Sequence, residues 1–450
     1  MATVTTAPGP RSPSRSAGAA LAAGLLGLVL GALLYRFPPQ LGLSLVGGLA
    51  MIAVLALAIA RYHAAVALAF VLLGVVLVEP APSDGVFVVL MAIALVGRRF
   101  RLAAVPFPVI AALGTLAAFN LLSAVQVADP ARAASYFVVS VFLAAMAIWL
   151  SGYVVTRRRA RLVVRAYLVA AVSSAVLGML GLFAGAELLT LGGRARALFQ
   201  DPNVFAPFLI PALLIVTEEI LQPRLLSARL PTKAVIAAIL ALGVLFSYSR
   251  GAWLNLAVAV IVMGVVFSLR RGGARRALGL LAIAGVAAMV VAGTVVATGS
   301  GDFLAERAQP QRYDQQRFSG QRAGLEPALS YPFGAGPGQF ESIAHISAHS
   351  SYARVLGEQG FPGLLVLLAL LGYTLAVAGR NAVLGRGTYG IGSVALLGAW
   401  CGLLANGFVI DTLHWRHLWI VAALIWAGAM RGYRPATPLP VRAGVDAPTE

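Results

Sequence analysis

Residues 234–269 read AVIAAILALGVLFSYSRGAWLNLAVAVIVMGVVFSL, and Arg250 is the single charge among them. A bilayer-spanning helix needs about 20 mostly apolar residues. The stretch therefore predicts two membrane helices, 234–248 and 252–269, joined by the short turn Phe246–Trp253. The pattern repeats along the chain. Further apolar runs centre on 17–35, 41–60, 64–78, 84–97, 103–125, 135–155, 163–186, 204–221, 277–297, 361–379, 389–410 and 414–430. The expected fold class is all-α: a polytopic membrane helix bundle of about 12–14 spans. One long periplasmic or extracellular loop with short helices is expected at 298–360. It divides the spans of 17–297 from those of 361–434, and polar tails at 1–16 and 435–450 flank the whole.

Composition supports this. Of 450 residues, 60% are hydrophobic and 11% charged, with a mean hydropathy of +0.88. Soluble domains carry about 25% charged residues, so a soluble enzyme is excluded. The single cysteine, Cys401, excludes an intramolecular disulfide and a cysteine-based metal site. The formal charge is +18, and Lys233 is the sole lysine among the 34 cations. These cations fall in short clusters between apolar runs, as membrane topology signals do, so no nucleic-acid partner is expected.

The clusters at 98–101, 157–165, 224–233 and 270–276 lie at alternate ends of the spans. Cytoplasmic loops concentrate Lys and Arg, which puts both termini in the cytoplasm, in a multi-pass protein of the cytoplasmic (inner) membrane. The first run reads as a membrane helix: it lacks the small-residue cleavage site of a signal peptide. His345, His349, His414 and His417 then face the opposite side, and His63 the cytoplasm.

Three outward segments carry candidate chemistry. Arg194-Ala-Arg196-Ala-Leu-Phe-Gln-Asp201-Pro202-Asn203 leads into a helix, with Asp or Asn suited to the cap and Pro to the first turn. A helix N-terminus beside two arginines suits a phosphate; the alternative is a pair of interfacial anchors. Arg250 sits in a turn between two apolar helices, where a cation faces a cavity or partner or else snorkels beside Trp253. The third segment runs through Tyr331-Pro-Phe-Gly-Ala-Gly-Pro-Gly-Gln-Phe340 and then His349-Ser-Ser-Tyr352-Ala-Arg354 to Glu358 and Gly363. Its glycines read as a turn that folds the loop back, not as a dinucleotide fingerprint. His349 is either a surface residue or, facing arginines across a cavity, a proton acceptor.

Other constellations are weaker. Glu218 and Glu219 are adjacent and so do not share a helix face. Asp411, His414, Arg416 and His417 have some of the spacing of a metal site but lack evident partner ligands, and no metal is expected. Motifs of ATPases, zincins and α/β-hydrolases are absent from the sequence.

In order and spacing, the three segments resemble the O-antigen ligase and O-antigen polymerase family of membrane glycosyltransferases. That family's pattern has an Arg before a Phe-x-x-Pro-Asn helix start, a Ser-Arg-Gly-Ala turn, and a loop ending in Pro and Gly-x-Gly-x-x-x-Phe. His-(Ser/Asn)-x-Tyr and Glu-x-Gly-x-x-Gly follow. Here these are Arg194 to Asn203, Ser249 to Ala252, Pro332 to Phe340, His349 to Tyr352, and Glu358 to Gly363. Arg317 resembles the family's arginine at the head of the loop's first helix. The chain departs from the pattern at Ala197, where glycine is usual, and at Gln321, where an aromatic is common.

The resemblance implies a GT-C-like fold and a metal-independent transferase without cofactor. It implies a polyprenyl-pyrophosphate-linked glycan as donor, a glycolipid or glycan acceptor, and contact with membrane lipid. The implied catalytic residues are His349, Arg250 and Arg194. Arg196, Asn203, Arg317, Tyr352 and Glu358 are the implied substrate-binding residues. The acceptor separates a ligase from a polymerase of lipid-linked repeat units. A transporter of lipid-linked sugars is the reading from another class, but the chain has few charges at midspan.

Overall fold

The computed structural model describes residues 39–270, 273–309, 315, 319–322, 324–345, 347–430 and 433. The expected span 17–35 and both tails lie outside these residues. The chain divides into two units at Ala65. The first holds α1 (Pro39–Ala60), an apolar helix that ends at Arg61, and the start of α2 (Tyr62–Val71).

The second unit contains α3 (Pro82–Val96), α4 (Phe107–Ser123), α5 (Pro130–Tyr153), α6 (Arg157–Phe183), α7 (Pro202–Leu221), α8 (Leu230–Phe246), α9 (Arg250–Leu269) and α10 (Ala274–Thr298). The short helices α11 (Gly301–Ala308), α12 (Leu325–Ser330) and α13 (Phe340–Ala344) follow in the long loop. Then come α14 (Ser351–Val383), α15 (Ser393–Asn406) and α16 (Arg416–Ala427). Each expected span among the described residues is a helix. Six are long and apolar enough to cross a membrane; α1 is apolar over Val46–Ala60, and the others are apolar helices of 10–17 residues. The chain is an all-α, multi-pass membrane bundle. Among the described residues, the strands are β1 (Thr190–Leu191) and β2 (Arg194–Ala195), which form a small hairpin.

Local sequence sets the helix starts. Asp129, Thr156, Asp201, Ser249 and Ser350 each accept a backbone N–H of the first turn. Such caps satisfy amides that the helix leaves unpaired. Pro130 and Pro202 stand in the first turn, where their missing N–H costs nothing.

α7 is the most buried of the long helices and packs against α8, α9 and α15. α9 and α15 approach closely: a Cβ on Gly402 would lie 2.1 Å from Asn255 Oδ1. α10 is almost wholly exposed, with Leu278, Leu281, Met289 and Val296 on its surface. An apolar helix exposed over its length suits lipid as its surroundings.

At the end of the second unit where α6 begins, charges serve the architecture. Arg157, Arg161 and Arg165 stand one turn apart and bond Arg224 O, Leu225 O and Ser227 Oγ in the α7–α8 loop. Glu219 accepts the amides of Arg224, Leu225 and Leu226 and pairs with Lys233 at 3.3 Å. Its neighbour Glu218 turns away to accept Ala395 N at the start of α15 (2.6 Å). The two carboxylates therefore hold separate elements.

Candidate active site

The opposite end of the unit gathers the outward segments. Gly192 and Gly193 both have positive φ (57° and 69°), which the two-residue turn of the β1–β2 hairpin uses. The hairpin delivers Arg194. Its Nε donates to Ser247 O (2.8 Å) and its Nη2 to Asn203 Oδ1 (3.0 Å). The same Asn203 oxygen accepts Ser249 Oγ at 2.8 Å. One amide oxygen thus ties the hairpin, the start of α7 and the cap of α9. Asn203 faces the protein here, as a positioning residue.

Tyr248 makes the tight α8–α9 turn in the left-handed region (φ 49°), with its ring edge-on to Phe303 at 4.6 Å. Arg250 follows as the first residue of α9 and donates to Gln309 O at 3.1 Å. Arg196 donates to Gln200 O at 3.2 Å, while its Nε is buried and has no partner among the described residues. Ala197, in the position where glycine is usual, has φ 50°. The glycine preference there is a backbone requirement.

The Gly-rich run docks on a break in α14. Gly360 leaves the helical region (φ 66°), and Pro362 has no N–H to give Glu358 O. Loop amides replace the lost donors: Ala335 N bonds Gly357 O and Gly336 N bonds Glu358 O, both at 2.9 Å. The approach is backbone to backbone. A Cβ on Gly334 would lie 2.3 Å from Gln359 N, and one on Gly360 2.3 Å from Pro332 O. Glu358 therefore lies at the end of the first segment of α14, just before the break at Gly360.

His349 is half-buried with left-handed backbone (φ 44°), one residue before the α14 cap. Ser351 N donates to Gly407 O (2.9 Å), and Ser351 Oγ to Asp411 (3.1 Å). Tyr352 donates its hydroxyl to Leu404 O (3.0 Å), and its ring lies 4.3 Å from Phe408. Gly251, beside Arg250, abuts the same corner: a Cβ there would lie 2.8 Å from Asn406 Oδ1. The end of α15 is thus the shared platform of the Arg250 turn and the His349 segment.

Arg354 fastens that platform. It pairs with Glu341, with Glu358 at 2.9 Å and with Asp411 at 2.6 Å, while Arg132 reaches Glu341 at 2.8 Å. Glu358 is 5% exposed and also faces Phe340 N at 3.4 Å. Its carboxylate is engaged within the protein, as is the Tyr352 hydroxyl. Asp411, read beside His414 and His417, belongs to this network. Arg317 lies outside the described residues.

The sequence reading missed three functional supports. Arg354 was legible only as an i,i+4 partner of Glu358. Ser249 Oγ looked like a cap alone. Asn406, 150 residues beyond Gly251 and more, gave no local signal.

Residues 235–368 match the family model described as O-antigen ligase. The chain carries an O-antigen ligase domain. The match runs from α8 into α14 and contains Arg250, Arg317, His349, Tyr352 and Glu358; Arg194, Arg196 and Asn203 precede it. No curated protein matches the chain. The matched segment of this multi-pass membrane protein is similar to O-antigen ligase and polymerase-type membrane glycosyltransferases.

Proposed function

We propose that the O-antigen ligase domain works with the preceding hairpin to transfer a glycan from a polyprenyl-pyrophosphate donor to an acceptor hydroxyl. The reaction takes place on the outer face of the cytoplasmic membrane. The observation that carries this reading is Asn203 Oδ1, which joins Arg194 to the cap residue next to Arg250. One side chain thus couples Arg194, from the hairpin, to the turn that carries Arg250, from a distant segment.

As the sugar–phosphate bond breaks, its electron pair stays on the pyrophosphate, which gains negative charge. Arg194 and Arg250, with Arg196 and Arg317, stabilise that charge; guanidinium forks match phosphate oxygens. His349 takes the acceptor proton as the hydroxyl oxygen bonds the anomeric carbon. Attack opposite the leaving group inverts that carbon. Tyr352 and Glu358 hold the His349 segment in place. An apolar cavity of about 320 Å³ between α4, α5, α14 and α16, lined by Ile110, Phe137, Ala144 and Leu367, suits part of the polyprenyl tail.

The test uses purified protein in nanodiscs with a lipid-linked oligosaccharide and candidate acceptors. Acceptor-dependent release should fall about 10²–10³-fold in Arg250→Ala, the usual loss for one preorganised donor, and strongly in His349→Ala. Product size separates ligation to an acceptor from polymerisation of repeats. Unimpaired turnover in both variants refutes the assignment.

A further inference from the structure

The residues Asp411 to His417, read in sequence as a poor metal site, open onto a cavity of about 260 Å³. Its polar lining is Glu79, Gln200, His414, Arg416 and His417; its walls include Trp415, Phe199 and Phe208. All of these residues lie outside 235–368. The space holds about eight waters, or one sugar ring.

Two features describe its ligand. Arg416 is bound by both oxygens of Asp84 and reaches Glu79 at 3.3 Å. Two carboxylates offset one guanidinium, so the cavity does not present the net positive charge that a phosphate would need. His417, 3% exposed, has Nε2 buried without a hydrogen-bond partner among the described residues. Its ring lies 5.1 Å from Trp415 and 6.1 Å from Phe208. A buried polar atom without a partner is costly unless a ligand supplies one. Aromatic walls with polar groups around the rim suit a ring that is apolar on its faces and hydroxylated at its edges.

The cavity also shares a segment with the arginine cluster. Gln200 lines it through its position between Arg196, which donates to the Gln200 carbonyl, and Asp201, which caps α7.

We infer that this cavity is a subsite for an uncharged sugar ring, adjoining the Arg194 and Arg196 cluster. The inference rests on the proposed glycosyl transfer for the source of the sugar, which is either the donor glycan or the acceptor glycan. His417 Nε2 and the Gln200 side chain bond its hydroxyls, and Trp415 packs on its face.

The test compares full-length wild type with His417→Phe, which keeps a ring and removes the nitrogen, and with Gln200→Leu on the exposed rim. Saturation-transfer NMR uses glucose and N-acetylglucosamine as probes; steady-state transfer is followed in parallel. Loss of one neutral hydrogen bond predicts weaker sugar binding and a KM raised about 3–10-fold in each variant. A rise confined to the donor KM assigns the donor sugar, and one confined to the acceptor KM assigns the acceptor. Should His417→Phe fail to fold, Gln200→Leu decides alone. Folded variants with wild-type sugar binding and both KM values unchanged overturn the subsite. A wild type that transfers no glycan, yet binds the sugar probes less after His417→Phe, leaves the subsite standing and refutes the transfer reading.

Discussion

Asn203 offers the sharpest test of the site, because one oxygen accepts both Arg194 Nη2 (3.0 Å) and Ser249 Oγ (2.8 Å). Asn203→Ala removes the acceptor. A hydrogen bond to a charged group is worth about 1.5–3 kcal/mol. If that energy goes into aiming Arg194 at the developing phosphate charge, kcat/KM falls about 10–150-fold. Stability falls as well, since Ser249 loses its side-chain acceptor. Asn203→Asp is the informative contrast. It keeps an oxygen in place and strengthens the pair with Arg194, so thermal stability is maintained or raised. It also adds a negative charge behind the guanidinium. A phosphate on the far edge of that fork would lie about 6–7 Å away, where like unit charges at an effective dielectric near 20 repel by about 2.5 kcal/mol. The expected result is a loss of about 70-fold in kcat/KM with unimpaired folding. Initial rates on a lipid-linked donor, paired with thermal unfolding in detergent, read both quantities. Wild-type kcat/KM in Asn203→Asp would refute the placement of donor phosphate at Arg194.

Arg354→Leu leaves Glu341, Glu358 and Asp411 without their shared cation; breaking a buried pair costs about 3–5 kcal/mol, so a large drop in melting temperature is expected, with partial recovery when Glu358→Gln is added. Gly334→Ala forces a Cβ to 2.3 Å from Gln359 N at a φ of 76°; limited proteolysis should show faster cleavage within 325–345 and activity should fall, whereas wild-type protection would show that the loop does not dock on the α14 break. Burial holds the His414 pKa below its ordinary value, against the attraction of Asp411 and Glu79. The folded state therefore favours the neutral ring, and this contribution to stability is full above the unfolded pKa of about 6.5 and is lost as pH falls below it. The fall in melting temperature with acidification should be shallower in His414→Gln; an identical slope would show that His414 takes no part.

The helices were legible because each carries its own signal. Long apolar runs between arginine clusters mark spans wherever they occur, and Asp201, Ser249 and Ser350 mark starts through bonds made within one turn. The Gly-x-Gly run was legible as a turn, but not as the partner of a helix break. That pairing needs Gly336 to meet Glu358 O across 22 residues of chain. The charged residues were the least legible. Tyr352 and Glu358 sit in a segment that looked like substrate contact, yet their polar atoms are used on Leu404 and Arg354. Asp411 stands beside two histidines in the sequence without the ligands of a metal site, and only the fold gives its carboxylate to Arg354.

The sequence by itself determined the solvent and the class. Burying 60% apolar residues with 11% charges requires lipid, and the order of the Arg194, Arg250 and His349 segments marked the family. Tertiary structure alone decided which polar side chains face one another. A guanidinium or carboxylate has the same local sequence signature whether it meets a ligand, a carbonyl or an ion-pair partner. The outcome depends on which distant element lies within hydrogen-bond reach, as Asn203 does for Arg194 and Arg354 does for Glu358.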